Sequence, residues 1–271
     1  MASMKQRLIF EGVVLLLACG GLFAGLASWD LTPKQLTEDV TRELETKLGD
    51  AMVHHLRRGS GSVHTDSLDK ALDQILTRLV RAQGSTRFPY SVEVLDAPQI
   101  NAVMLPGGRI IVFRGLLDVM EAPEELAAVL AHEMAHAEKR HISKRLARQF
   151  GLTVLFGAAG GDSVVLREIT EQLIASAFDR AQEHEADRSG RDLMAKARLD
   201  PRAMATAFRH MKQGVEQLPR ALQVLSTHPD IDERIRDALA HPVSPGGFST
   251  LGIDWNAVKK SLPPRRAPDP E

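Results

Sequence analysis

The stretch His132-Glu133-Met134-Ala135-His136 decides how this sequence is interpreted, and it lies in a run from 123 to about 148 that is predicted to form one helix. At about 100° per residue, His132 and His136 lie roughly 40° apart on one helix face, so both imidazoles can reach one metal ion. Glu133 lies beside them, close enough to take a proton from water held by that ion. The HExxH spacing therefore predicts a catalytic metal site with two histidine ligands and Glu133 as general base.

The residues around this motif are apolar. They are Leu126, Ala127, Val129, Leu130, Ala131, Met134 and Ala135. An unpaired imidazole in apolar surroundings costs free energy, so two solvated surface histidines are a poor interpretation of the motif.

A catalytic zinc site needs a third protein ligand and one open position. The candidate stretch is Glu183-His184-Glu185-Ala186-Asp187, on a helix predicted from about 167 to 196. Glu183 and Asp187 are four residues apart and share one helix face. Glu183 can then bind the ion while Asp187 accepts a hydrogen bond from the far nitrogen of a ligand histidine. On spacing alone, Glu185 remains an alternative ligand.

One further histidine lies close to the motif. His141 comes five positions after His136, which on a continuous helix rotates it about 140° away. From there it cannot bind the same ion, so His141 is predicted to be a solvated or capping histidine.

Three motifs, in their order along the chain, resemble those of the M48 zinc metallopeptidases. They are the 132–136 motif with Arg140-His141, the 183–187 stretch preceded by Arg180, and Thr227-His228-Pro229 with Arg234-Ile235. An upstream group is similar to the strand region of that family: Asn101-Ala102, Pro106-Gly107-Gly108 and Gly115-Leu116-Leu117. The resemblance covers about residues 85 to 240. It implies one Zn²⁺ per chain, held by His132, His136 and Glu183.

The resemblance also implies roles for two residues further along the chain. His228 is expected to face the metal cleft, where it stabilises the developing oxyanion or closes the site as an extra ligand. Arg234 either assists the transition state or holds the His228 loop through a carboxylate. The sequence departs from the family pattern at Asp179, where serine is common. The short apolar link 152–161 stands where multi-span members have transmembrane helices, which favours the single-anchor or lipid-anchored bacterial envelope type.

A change of hydrophobic period marks a small sheet before the metal motif. Residues 90–95 alternate, and 102–113 read as a hairpin around Pro106-Gly107-Gly108. The edge formed by Asn101, Ala102, Val103 and Met104 is predicted to bind an extended substrate as an added strand. Helical patterns fill most of the rest, so we expect an α+β, mainly helical, zincin-like metallopeptidase whose HExxH helix packs on a small β-sheet.

Four segments are predicted along the chain. Residues 1–30 are a signal or anchor segment, and 31–84 are N-terminal helices, 31 to about 58 and 66 to about 83, that pack on the peptidase body. Residues 85–241 are the zinc metallopeptidase core. Residues 242–271 are predicted to be a loop and a proline-rich C-terminal tail.

The N-terminal segment has an apolar run from Leu8 to Trp29, preceded by Lys5 and Arg7. Three interpretations stay open: a retained inner-membrane anchor, a signal sequence cleaved after 25–27 to release a soluble periplasmic protein, or a lipoprotein modified at Cys19. Because positive charges stay in the cytoplasm, each of them places the body in the periplasm of a bacterial envelope.

Composition excludes several classes of protein. The formal net charge of −1 provides no basic field for nucleic acid. The single cysteine, Cys19, excludes an intramolecular disulfide framework and a cysteine-rich zinc module, so a metal must use histidines and carboxylates.

The expected function is zinc-dependent endopeptidase activity on unfolded or misfolded envelope proteins, for protein quality control, by metal-activated water with Glu133 as general base. The expected partners are those protein substrates and, through the N-terminal segment, the membrane. The alternative is a latent or non-cleaving zinc-containing chaperone or scaffold of the envelope. The oligomeric state is left open by the sequence.

Overall fold

A computed structural model describes residues 33–150, 163–217, 231–240 and 247–265. This part of the chain contains a three-stranded sheet, with strands β1 (Ser91–Leu95), β2 (Ala102–Leu105) and β3 (Arg109–Phe113), and ten α-helices. The helices are α1 (Pro33–Ser60), α2 (Asp66–Gln83), α3 (Arg114–Val119), α4 (Pro123–Glu138), α5 (His141–Phe150), α6 (Ser163–Ala175), α7 (Arg180–Lys196), α8 (Ala203–Gln217), α9 (Ile231–Leu239) and α10 (Trp255–Ser261). The predicted mainly helical α+β fold is confirmed.

The chain divides into two compact units, with the boundary after residue 43. In the first, the described residues Pro33–Glu43 are helical and begin α1. The second, Leu44–Glu271, contains the sheet and the helices from α2 onward.

The sheet has the order β1-β3-β2 and mixes the two strand directions. β1 runs parallel to β3, while β2 pairs antiparallel with it in a register that places Met104 opposite Ile110. The tight connection is a 3₁₀ turn, Pro106–Gly108, in which Gly107 has φ +72° and Gly108 φ +79°. Glycine adopts these left-handed conformations without the steric cost of a Cβ, and the predicted hairpin is confirmed.

Helix α2 has the bounds that its pattern predicts. The side chain of Thr65 accepts a hydrogen bond from the Leu68 backbone N–H, and Gly84 at φ +78° ends the helix. Its buried stripe consists of Leu68, Ala71, Leu72, Ile75 and Leu79. Through this stripe α2 packs against α4, α7, β1 and α10.

The prediction of a single helix from 123 to about 148 is wrong. α4 ends at Glu138, and α5 begins at His141 after a break in which Arg140 adopts φ +59°. A left-handed residue cannot continue a right-handed helix, so α5 leaves in a new direction.

The helix predicted from about 167 to 196 is also two helices. α6 ends at Ala175, and α7 begins at Arg180 behind a capping box in which Asp179 accepts from the Gln182 N–H. The aspartate that departs from the M48 pattern is therefore the N-cap of this helix. Its side chain satisfies a backbone donor that an uninterrupted helix would have paired internally.

The prediction that 242–271 is only loop and tail needs correction as well. α10 lies within it, capped by Asp254, and buries Trp255 and Val258. The Trp255 indole donates to the Met120 carbonyl oxygen at 2.9 Å, which ties the segment to the body. A helix this short is not stable through helix propensity alone, so the burial of the aromatic side chain stabilises it.

Several predictions concern residues outside the described ranges: the segment 1–30, the apolar link 152–161, His228 and the end of the tail. Across the described ranges, no helix combines the length and apolarity that a membrane crossing requires.

Candidate active site

Three buried side chains converge between α4 and α7. His132 Nε2 lies 3.0 Å from His136 Nε2 and 3.6 Å from Glu183 Oε2, and His136 Nε2 lies 3.4 Å from Glu183 Oε1. Ligands bound tetrahedrally at 2.0–2.1 Å stand about 3.4 Å from one another, so this group fits a zinc-sized ion. The three side chains therefore form a group that can hold a metal. Glu185, the alternative ligand, is exposed and outside this group.

Gly190 allows α4 and α7 to approach closely at this point. A Cβ added there would lie 3.1 Å from the His132 backbone N and 3.0 Å from Met204 Cε. Gly190 is seven residues after Glu183, so it shares the face of α7 that carries the ligand. The missing side chain therefore helps set the distance between the ligands of the two helices.

Replacing Gly190 with alanine should lower the free energy of unfolding by about 1–3 kcal/mol, because the added methyl overpacks the helix contact. It should also weaken zinc binding, since His132 moves relative to Glu183. Urea unfolding of the metal-free chain and a zinc competition assay measure the two effects. Gly59→Ala is the matched control, because nothing lies within 4 Å of its Cβ position. Equal behaviour of the two variants would show that the close contact is unimportant.

The far nitrogen of His132 has a carboxylate partner. His132 Nδ1 lies 2.9 Å from Asp187 Oδ1, the contact that the spacing of 183 and 187 predicts. Asp187 in turn accepts two hydrogen bonds from Arg234, each 2.7 Å long. Burial alone would raise the pKa of Asp187, but the hydrogen bonds from Arg234 and His132 hold it well below its usual range. Asp187 is thus an ionised acceptor that fixes the ring of His132.

Arg234 is buried and pairs with the two buried acidic residues of α7, Glu183 and Asp187. Its Nη1 lies 2.8 Å from Glu183 Oε2, and its guanidinium lies over the ring of Phe208. Of the two predicted roles, these contacts support the one in which Arg234 acts through carboxylates. The described residues include no part of the His228 loop, so that part of the interpretation stays a prediction.

His141 is not the solvated histidine that a continuous helix predicts. It is 1% exposed, its Nδ1 lies 3.0 Å from His136 Nδ1, and its Nε2 lies 3.2 Å from Glu185 Oε2. Burial lowers the pKa of His141, with Glu185 partly opposing the shift. The error follows from the break at Arg140, which turns the chain back towards the metal group.

Phe178 covers the other ligand histidine. Its ring stacks on His136 with centroids 3.9 Å apart, and the Arg145 guanidinium lies 3.4 Å from the centroid of the same ring. Burial lowers the pKa of Arg145 to about 10, which leaves it charged at neutral pH. Phe178, Gly190 and Arg145 are not among the site residues that the sequence predicts. Only Gly190 had a sequence signal, its position on the stripe of Glu183 and Asp187.

Glu133 follows the ligand candidate His132 in α4, and its carboxylate contacts the sheet. Its Oε2 accepts a hydrogen bond of 2.8 Å from the Met104 N–H. The Asn101 carbonyl oxygen accepts from Phe113 N–H, so by the alternation of an antiparallel ladder Asn101 and Val103 pair inward with β3. The backbone groups of Ala102 and Met104 then point to the outer edge of β2. This predicted substrate edge therefore runs beside Glu133.

Comparisons with known proteins agree with this geometry. The model of peptidase family M48 matches residues 66–241. The chain is 31% identical over 207 residues to the mitochondrial metalloendopeptidase OMA1 of Schizosaccharomyces pombe, covering 75% of this chain and 59% of the relative. It is 27% identical over 246 residues to the beta-barrel assembly-enhancing protease of Yersinia pestis, covering 82% and 51%. The protein of that name in Escherichia coli K12 is 26% identical over 208 residues, covering 72% and 43%.

The chain spans about half the length of the curated relatives it matches. The family match, in contrast, covers well over half of this chain and contains the metal group, Glu133 and Arg234. The chain therefore belongs to peptidase family M48.

Proposed function

We propose that this chain is a zinc-dependent endopeptidase that cleaves unfolded or misfolded proteins of the bacterial cell envelope. The observation that carries the proposal is the buried group of His132, His136 and Glu183 with Glu133 beside it. Two imidazoles and one carboxylate form a donor set that suits zinc and leaves a position for water or substrate. A bound zinc would acidify water and polarise the scissile carbonyl group.

In this proposal Glu133 moves the proton. Its carboxylate takes a proton from the attacking water and returns it to the nitrogen of the leaving amine. The hydrogen bond from the Met104 N–H holds Oε2 in place, so the base is oriented by the strand on which the substrate lies. Wild type and Glu133→Gln, compared on a fluorescence-quenched unfolded protein with bound zinc measured in both, test the function.

The outer edge of β2 is the proposed substrate site. An extended chain can add to this edge through backbone hydrogen bonds, which do not read side chains and therefore suit unfolded proteins of varied sequence. The four residues predicted for this edge, Asn101, Ala102, Val103 and Met104, are all buried.

Replacing Ala102 with proline should raise KM for an unfolded protein substrate about tenfold or more, because it removes an outward-pointing N–H and blocks strand addition. The inward ladder between β2 and β3 is kept, so bound zinc should not change. Steady-state kinetics and zinc content measure this. Val103→Pro is the comparison variant that breaks the ladder itself and should also lower stability. Unchanged KM in Ala102→Pro would refute strand addition.

The envelope location is proposed on two grounds. The apolar segment from Leu8 to Trp29 follows Lys5 and Arg7, an arrangement that exports the body of a protein. Two of the relatives described above carry the name beta-barrel assembly-enhancing protease. Anchor, cleaved signal and lipoprotein remain three forms of this proposal.

A further inference from the structure

We propose that His141 is a positioning residue that holds His136 in its metal-binding orientation and connects it to a surface carboxylate, Glu185. The inference rests on the proposed function only in that it requires a metal bound by His136. Its basis is the chain of contacts from His136 through His141 to Glu185, with Lys139 Nζ 3.1 Å from the same carboxylate.

The proton positions along this chain follow from the contacts. His136 uses Nε2 towards the metal group, so its Nδ1 carries the proton and donates to His141 Nδ1 at 3.0 Å. His141 then carries its own proton on Nε2 and donates it to Glu185 Oε2 at 3.2 Å. Each ring nitrogen of the two neutral imidazoles thus binds the metal, donates a hydrogen bond or accepts one. A single tautomer of each ring satisfies all of these contacts.

The backbone explains how His141 reaches this place. On a continuous helix it would point about 140° away from His136. Arg140 at φ +59° interrupts the helix, and α5 then begins with His141 directed back at His136. A left-handed conformation is unfavourable for a residue other than glycine, so the surrounding structure must stabilise this turn.

Charge gives a reason for an imidazole rather than a carboxylate at this position. Glu133, Glu183 and Asp187 are already buried at the site, with Arg234 as the buried cation in contact with the last two. A further buried carboxylate beside His136 would carry a large desolvation cost. The His141 ring transmits the hydrogen bond to Glu185, whose side chain is 48% exposed and paired with Lys139.

Zinc affinity, measured by competition with a chromophoric chelator, tests the proposal independently of cleavage. His141→Leu should raise the Kd for zinc by about 10–100-fold. His141→Asn should recover most of the affinity, because its Oδ1 takes the place of Nδ1 and accepts from His136. The absorption spectrum of the cobalt-substituted protein should change in His141→Leu and return towards wild type in His141→Asn. His54→Leu, the same change at an exposed position, is the control.

Zinc affinity within threefold of wild type in His141→Leu overturns the proposal, and so does equal weakening by leucine and asparagine. Urea unfolding of the metal-free chains shows whether His141→Leu folds. If it does not fold, Glu185→Leu, at a half-exposed position, decides: its zinc Kd should rise by about threefold or more, and an unchanged Kd overturns the relay. Failure of the wild type itself to bind zinc would instead refute the proposed function.

Discussion

Glu133→Gln is expected to lower kcat by about 10²–10⁴-fold while the chain still binds one zinc ion. Glutamine has nearly the shape of glutamate, and its amide oxygen can still accept the hydrogen bond from Met104 N–H that glutamate accepts at 2.8 Å. The amide does not take up a proton at neutral pH, so the attacking water keeps its proton. The ligands His132, His136 and Glu183 are untouched by this change.

The measurement is cleavage of an unfolded, fluorescence-quenched protein by the full chain, with zinc content determined for the same samples. Glu124→Gln is the matched control on the same helix, since Glu124 accepts a hydrogen bond from the Leu251 N–H outside the metal group. It should retain wild-type turnover. Equal turnover of Glu133→Gln and wild type would remove Glu133 from the mechanism, and absence of cleavage in both would favour a non-cleaving zinc protein.

Arg234→Met should lower the free energy of unfolding of the metal-free chain by about 3–5 kcal/mol, the cost of breaking a buried ion pair. Arg234 is 2% exposed and is paired with Asp187 through two hydrogen bonds and with Glu183 through Nη1. Methionine occupies a similar volume but leaves two buried carboxylates without this cation. Zinc binding should weaken too, because Asp187 loses the group that holds it against His132.

Chemical denaturation measures this effect, with Arg236→Met as the control at an exposed position of the same helix. The control should change stability little. Adding Asp187→Asn to Arg234→Met should recover part of the loss, since one unpaired charge is removed. Equal stability of Arg234→Met and Arg236→Met would show that the buried pair is unimportant for folding.

The loss of unfolding free energy in Arg234→Met should also depend on pH. The pKa of Asp187 is lowered in the folded wild type, so the stabilisation it provides is full above its unfolded pKa of about 4. That stabilisation disappears as pH falls through the lowered folded pKa. The difference between wild type and Arg234→Met should therefore be largest near neutral pH and become smaller in acid.

The sequence by itself determined those features that depend on local spacing. The HExxH motif on an apolar helix predicts that His132 and His136 form a pair of metal ligands, because helical geometry alone places residues four apart on one face. The cap at Thr65, the end at Gly84 and the Pro106-Gly107-Gly108 turn are likewise local, since each depends on the conformational preference of one or two residues. These signals predicted α2 and the hairpin correctly.

Only the tertiary structure decided how the separate helices contact one another around the site. The break at Arg140 has no marker such as glycine, so a helix continued through it in the prediction and His141 was assigned to solvent. The closeness of α4 and α7 at Gly190, and the double pairing of Arg234, depend on contacts between residues more than 45 positions apart. Spacing along one helix cannot report such contacts, because they arise from the packing of separate helices in one buried core.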